Sequence, residues 1–127
     1  MVLVSRLTAA QPADAAQKAE RLAQLLSALG VPLAAAPAAS AERLAALQAD
    51  PSRCEGDRNC LASLGRRLSA AVVVTLDVGL VLDEYALRIE AVDSQAGTLL
   101  GALKTTGPWA ELEGRLPAEL RPMSYSI

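Results

Sequence analysis

From Ala71 to Thr106 the chain runs in three short stretches of strand-forming residues separated by turn residues, and this pattern leaves few folds open. "AVVVTLD" sets Val72, Val74, Leu76 and Val78 on one face and Val73, Thr75 and Asp77 on the other. "YALRIEAVD" sets Tyr85, Leu87, Ile89 and Ala91 opposite Ala86, Arg88, Glu90 and Val92. A period of two marks a half-buried antiparallel strand. Asp83-Glu84 and "SQAG" read as the turns, Gly97 supplying a positive φ, and "TLLGALKTT" as the returning strand. A three-stranded meander with one apolar face follows. It needs helices to cover that face.

The rest of the chain provides them. Val2–Leu7 is a β-branched run that reads as a first strand. After "TAAQPAD", with Asp14 as N-cap, residues Ala15, Ala19, Leu22, Leu25, Leu26 and Leu29 recur at helical spacing, and Gly30 is placed to end the helix. "VPLAAAP" reads as a short strand that Pro32 confines to an edge or an end. Ser40 caps "AERLAALQA", which Asp50-Pro51 stops, and a further helix spans Arg58–Leu68. Gly65 lies inside that helix, where it costs up to about 1 kcal/mol relative to Ala, so close packing against the sheet is expected. Gly107-Pro108 breaks the last strand, and Trp109–Leu116 forms a terminal helix that covers the end of the core. Pro117 ends or restarts it, and residues 122–127 read as a tail. The expected class is α/β (α+β), with one domain over residues 1–121. Its mixed sheet has 4–5 strands and helices mainly on one face.

Composition narrows the function. At 127 residues the chain suits a single core. It is 52% hydrophobic, yet no apolar run approaches the roughly 18–20 residues that a membrane-spanning helix needs. Lys and Arg number 12 against 14 acidic residues and are scattered, which argues against nucleic-acid binding. There is no His, the commonest general base and metal ligand, and no Phe, so Leu, Val and Ala build the core. The excess of Arg over Lys and the many Ala residues reflect GC-rich bacterial coding. No basic segment followed by an apolar one opens the chain, so no signal peptide is read here. "MVLVSRL" begins strand-like residues at once, which fits either a natural start or one left after an export signal is removed.

Cys54 and Cys60 are the two cysteines. A zinc site wants four ligands, and two Cys without His fall short. A redox dithiol is normally Cys-x-x-Cys at a helix N-terminus; Cys60 meets only the second condition. The favoured reading is a Cys54–Cys60 disulfide closing "CEGDRNC", which implies an oxidising compartment. Asp77, Asp83, Glu84, Glu90 and Asp93 have no nucleophile or pocket motif beside them, and no phosphate-binding glycine loop occurs. Nothing calls for a catalytic residue, a metal or a cofactor. Thr75, Asp77, Arg88 and Glu90 instead form a mixed-charge face, with no helix left over to cover it if all helices pack on one side. That face is the expected docking surface for another protein.

"CEGDRNCLASLGRRLSAAVVVTLDVGLVLDEYALRIEAVDSQAGTLLGA" resembles a segment of myxobacterial envelope proteins, whose domains are similar to the TolB amino-terminal domain and to the LpoB and CsgG lipoproteins. The resemblance covers about Asp50 to Ala102 and rests on Cys54, Cys60, Leu61, Leu64, Gly65, Tyr85, Leu87, Asp93 and Gly97. Ser69-Ala70 replaces the usual Gly-Ala. The resemblance implies a non-enzymatic envelope domain, periplasmic or outer-membrane associated, that docks a partner protein. Any membrane attachment would run through a removed or absent anchor. The alternative is a cytoplasmic roadblock-like dimerising module.

Overall fold

The protein's structure, a computed structural model, describes residues 2–7, 12–30, 42, 45–47, 54 and 57–126. In chain order these hold β1 (Val2–Leu7), α1 (Pro12–Ala28), α2 (Arg58–Arg67), β2 (Val72–Val81), β3 (Glu84–Asp93), β4 (Leu99–Gly107) and α3 (Trp109–Ser126). The strands form one sheet in the order β1-β2-β3-β4. β1 pairs parallel with β2, and the other two pairings are antiparallel. The meander is therefore present as expected. "VPLAAAP" lies outside the described residues, as does most of the helix expected after Ser40, of which Glu42 and Ala45–Ala46 are helical.

The period-two reading sets the register correctly. Thr75 lies opposite Glu90, Leu76 opposite Ile89 and Asp77 opposite Arg88. One face carries Val74, Leu76 and Val78 of β2 with Leu87, Ile89 and Ala91 of β3, all buried. Ala19, Leu22, Ala23, Leu25 and Leu26 of α1 close over it, together with Leu112, Leu116, Leu120 and Met123 of α3. Each Leu or Val buried this way contributes about 1.5–3 kcal/mol. Trp109 caps one end edge-to-face with Tyr85, ring centroids 5.7 Å apart. The Lys18 ammonium lies 4.8 Å from the Trp109 ring centre.

Two expectations fail at chain features that local rules misread. The terminal helix does not stop near Pro117, and residues 122–126 of the expected tail are helical: α3 runs to Ser126 with Pro117 and Pro122 inside it. A proline within a helix costs about 3 kcal/mol. The stripe Leu112, Leu116, Leu120 and Met123 offsets that cost by burial, and Met123 reaches Gly101, where an added Cβ would stand 2.9 Å from its Cγ. The β2–β3 turn also shifts by one residue, from Asp83-Glu84 to Leu82-Asp83, because β2 continues to Val81.

The third correction concerns the sheet's other face. α1 and α3 make the helices lie mainly on one side, but α2 packs on the opposite one. It covers Val73 and Val92 with Leu61, Ala62, Leu64 and Leu68. Gly65 makes this contact possible: a Cβ there would lie 2.0 Å from Ser94 Oγ and 2.6 Å from Val73 Cγ2. The Arg66 guanidinium donates to the Ser94 carbonyl at 2.6 Å, and Ser94 N–H donates to Ala71 O. These bonds lock the end of α2 to the β3–β4 turn. Asp93 holds the same turn by accepting from the backbone N–H groups of Gln95 and Ala96. The Ala96 and then the Gln95 bond lower its pKa from the ordinary value.

At the start of α2, Asp57 caps the helix by accepting from Asn59 N–H at 2.9 Å. Cys54 and Cys60 are joined, with Cα atoms 5.4 Å apart. Cys54 is buried in the small apolar cluster under α2. The bond thus ties the residues before α2 to its first turn. Closing so short a loop contributes about 2 kcal/mol in the chain-entropy model. Cys60→Ser is expected to lower stability by about that much. The unreduced protein should weigh two hydrogens less than the reduced one, and two freely alkylated thiols in unreduced protein would contradict the pairing.

Candidate partner-binding face

Away from α2, the second face of the sheet is a grid of cross-strand rows. Thr75, Glu90 and Ala102 make one row. Asp77, Arg88 and Lys104 make the next, and Gly79, Ala86 and Thr106 the last that spans three strands before the hairpin tip. The register also sets Arg6 of β1 beside Asp77. Ala86, Arg88, Ala102, Lys104 and Thr106 are exposed; Thr75, Asp77, Gly79 and Glu90 are half-buried. No helix among the described residues lies over these three rows.

The four residues singled out from the sequence, Thr75, Asp77, Arg88 and Glu90, therefore meet on one surface. Arg88 Nε donates to Glu90 Oε1 at 2.9 Å, and an NH2 contact of 2.7 Å makes the pair bidentate from the arginine side. The Arg88 side chain remains 60% exposed while that of Glu90 is 13% exposed. Such a pair is worth little to folding while one partner is in water. It sets the guanidinium beside Glu90 on the sheet surface. A shallow hollow of about 320 Å³ lies beside it, lined by Asp77, Gly79, Ala86, Leu87, Arg88, Lys104 and Thr106. Its floor of small residues admits a side chain. It has no convergent set of nucleophile and base.

Sequence reasoning missed three parts of this surface. Lys104 and Thr106 went unassigned because "LLGALKTT" shows no clean alternation, and the hollow arises from Gly79 and Ala86 being small. The cover over Val73 and Val92 had a signal: two valines on an otherwise polar face call for an apolar partner.

No family model matches this chain, and no curated protein matches it in sequence. Solved structures do match it in shape. Lipoprotein GNA1162 from Neisseria meningitidis superposes with a TM-score of 0.66 at 15% identity, over 98% of this chain and 97% of that one. It shares this fold. PelC from Paraburkholderia phytofirmans, solved as a dodecamer, gives 0.55 at 16% identity, over 97% of this chain and 86% of that one. The LpoB C-terminal domain from Salmonella enterica reaches only 0.48, at 18% identity over 84% of this chain and 81% of that one. These sources lend no support to a myxobacterial origin. No described helix is long and apolar enough to cross a membrane.

Proposed function

We propose that this chain is a non-enzymatic protein-interaction domain of the bacterial cell envelope, periplasmic or lipoprotein-associated, which docks a partner protein on the open half of its sheet. The observation that carries the reading is the grid of Thr75, Asp77, Arg88 and Glu90, over which no described helix lies, beside the part of the face where α2 packs on Val73 and Val92. A mixed-charge sheet surface carrying an ion pair suits recognition of another protein, since charge complementarity selects partners and rejects wrong ones. The shape likeness to a Neisseria lipoprotein supports an envelope setting. The Cys54–Cys60 bond supports an oxidising compartment over the cytoplasmic roadblock-like alternative. PelC's assembly as a dodecamer is a case of this fold engaging protein surfaces.

The test uses Asp77→Arg and Arg88→Glu, both on the sheet surface, after melting curves confirm that each variant folds. Affinity capture from envelope extracts should recover a partner with the wild type and lose the same partner with both variants. Equal recovery with all three proteins would move the interface off this face.

A further inference from the structure

The β2–β3 hairpin tip carries a leucine where a soluble hairpin does better without one. Leu82 is 92% exposed, and its φ of 58° is left-handed, a conformation that glycine adopts freely and a leucine does not. It is the first of two turn residues, and two-residue hairpins with positive φ there ordinarily use Gly, Asn or Asp. Backbone strain and exposed apolar surface thus coincide at one side chain. Asp83 and Glu84 beside it are exposed and make no ion pair among the described residues.

The counterpart of this tip lies on the same molecule. The hollow described above has a floor of Gly79, Ala86 and Thr106, and Lys104 on its rim is exposed and without an ion pair among the described residues. A second hollow of about 450 Å³ shares Ala86 and Thr106 and continues toward the tip. Tip and hollow lie three residues apart along the hairpin, about 10 Å at strand rise. The protrusion is apolar and acidic; the recess is small-floored, with Arg88 and Lys104 outnumbering Asp77 at its edge.

We propose that a second copy of this chain occupies the hollow, the Leu82 tip of each copy seating over Gly79 and Ala86 of the other about a twofold axis. Asp83 and Glu84 then face the partner copy's Lys104. A twofold contact requires such self-complementarity, in which tip meets hollow and hollow meets tip. The proposal rests on the reading of this face as a protein-docking surface and names its occupant. The contact is small, so the dimer is weak and concentration-dependent.

Sedimentation equilibrium of the purified chain, from about 10 µM to about 1 mM, reads this directly. The average mass should climb from 13.2 kDa toward twice that value. Leu82→Asp and Ala86→Arg should each weaken dimerisation about tenfold or more. Leu82→Asn should do the same with an unchanged or higher melting temperature, since asparagine tolerates the left-handed backbone. Lys104→Glu should weaken the dimer, and adding Glu84→Lys should restore it. A constant monomer mass overturns the proposal, and so does a dimer that survives both Leu82→Asp and Ala86→Arg. If a heterologous partner is captured through Asp77 and Arg88 while the chain stays monomeric, the dimer falls and the docking reading stands.

Discussion

Gly65→Ala should destabilise the protein by about 3 kcal/mol, the upper end of what overpacking a close contact costs. A methyl group at position 65 meets Ser94 Oγ at 2.0 Å and Val73 Cγ2 at 2.6 Å, distances that real side chains do not keep. The Ser94 hydroxyl can rotate away, but the Ser94 Cβ, 2.9 Å from the added methyl, and Val73 cannot give way easily. Ser94 is buried in a turn pinned by its own N–H to Ala71 O and by Arg66 to its carbonyl. Val73 is fully buried in the sheet. The clash has a signature beyond lost stability. Ser94→Gly removes the hydroxyl and the Cβ from the contact, so the double variant Gly65→Ala/Ser94→Gly should lose less than the two single changes summed. Denaturant titration of the four proteins measures that coupling. Additive losses would mean that α2 does not rest on Ser94.

Ile89→Asp should leave no folded protein at room temperature. Ile89 is 1% exposed, with Leu76 opposite it on β2 and Leu103 on β4, inside the cluster that α1 and α3 cover. A carboxylate there has no partner to hand, and an unpaired buried charge costs more than the few kcal/mol a domain of this size holds in reserve. Arg88→Ala, one residue away on the other face, should change stability by about 0.5 kcal/mol or less. Circular dichroism melts of the two variants separate the faces. Equal tolerance of both changes would mean that the strand register is wrong.

The meander was legible because one buried face and one wet face impose alternation, and Thr75, Asp77, Arg88 and Glu90 fell on the wet side by the same rule. The alternation breaks down where both faces are buried. Val72, Val73 and Val74 run together because α2 needs Val73 while the main core takes Val74. β4 could not be phased from its sequence, since Gly, Ala and Thr suit either side. A register shift at Ala91/Val92 also changes which residues of β4 face which way. The prolines of α3 misled for a different reason: helix propensity is local to the helix, whereas the Leu112–Met123 stripe is held by packing on the sheet. Leu82 could not be identified as the tip without knowing that β2 reaches Val81. The paired cysteines were readable because so few alternatives remained for two Cys with no His.

Photo-crosslinking in the intact producing cell tests the central claim most directly. A photoreactive amino acid placed at Ala102, beside Glu90 on the open face, is compared with one at Ala118, exposed on α3 on the far side of the sheet. The account predicts a discrete protein adduct from position 102 and none from position 118; an adduct of twice the chain mass would identify the second copy as the occupant. Adducts from position 118 alone, or equally from both positions, would contradict it.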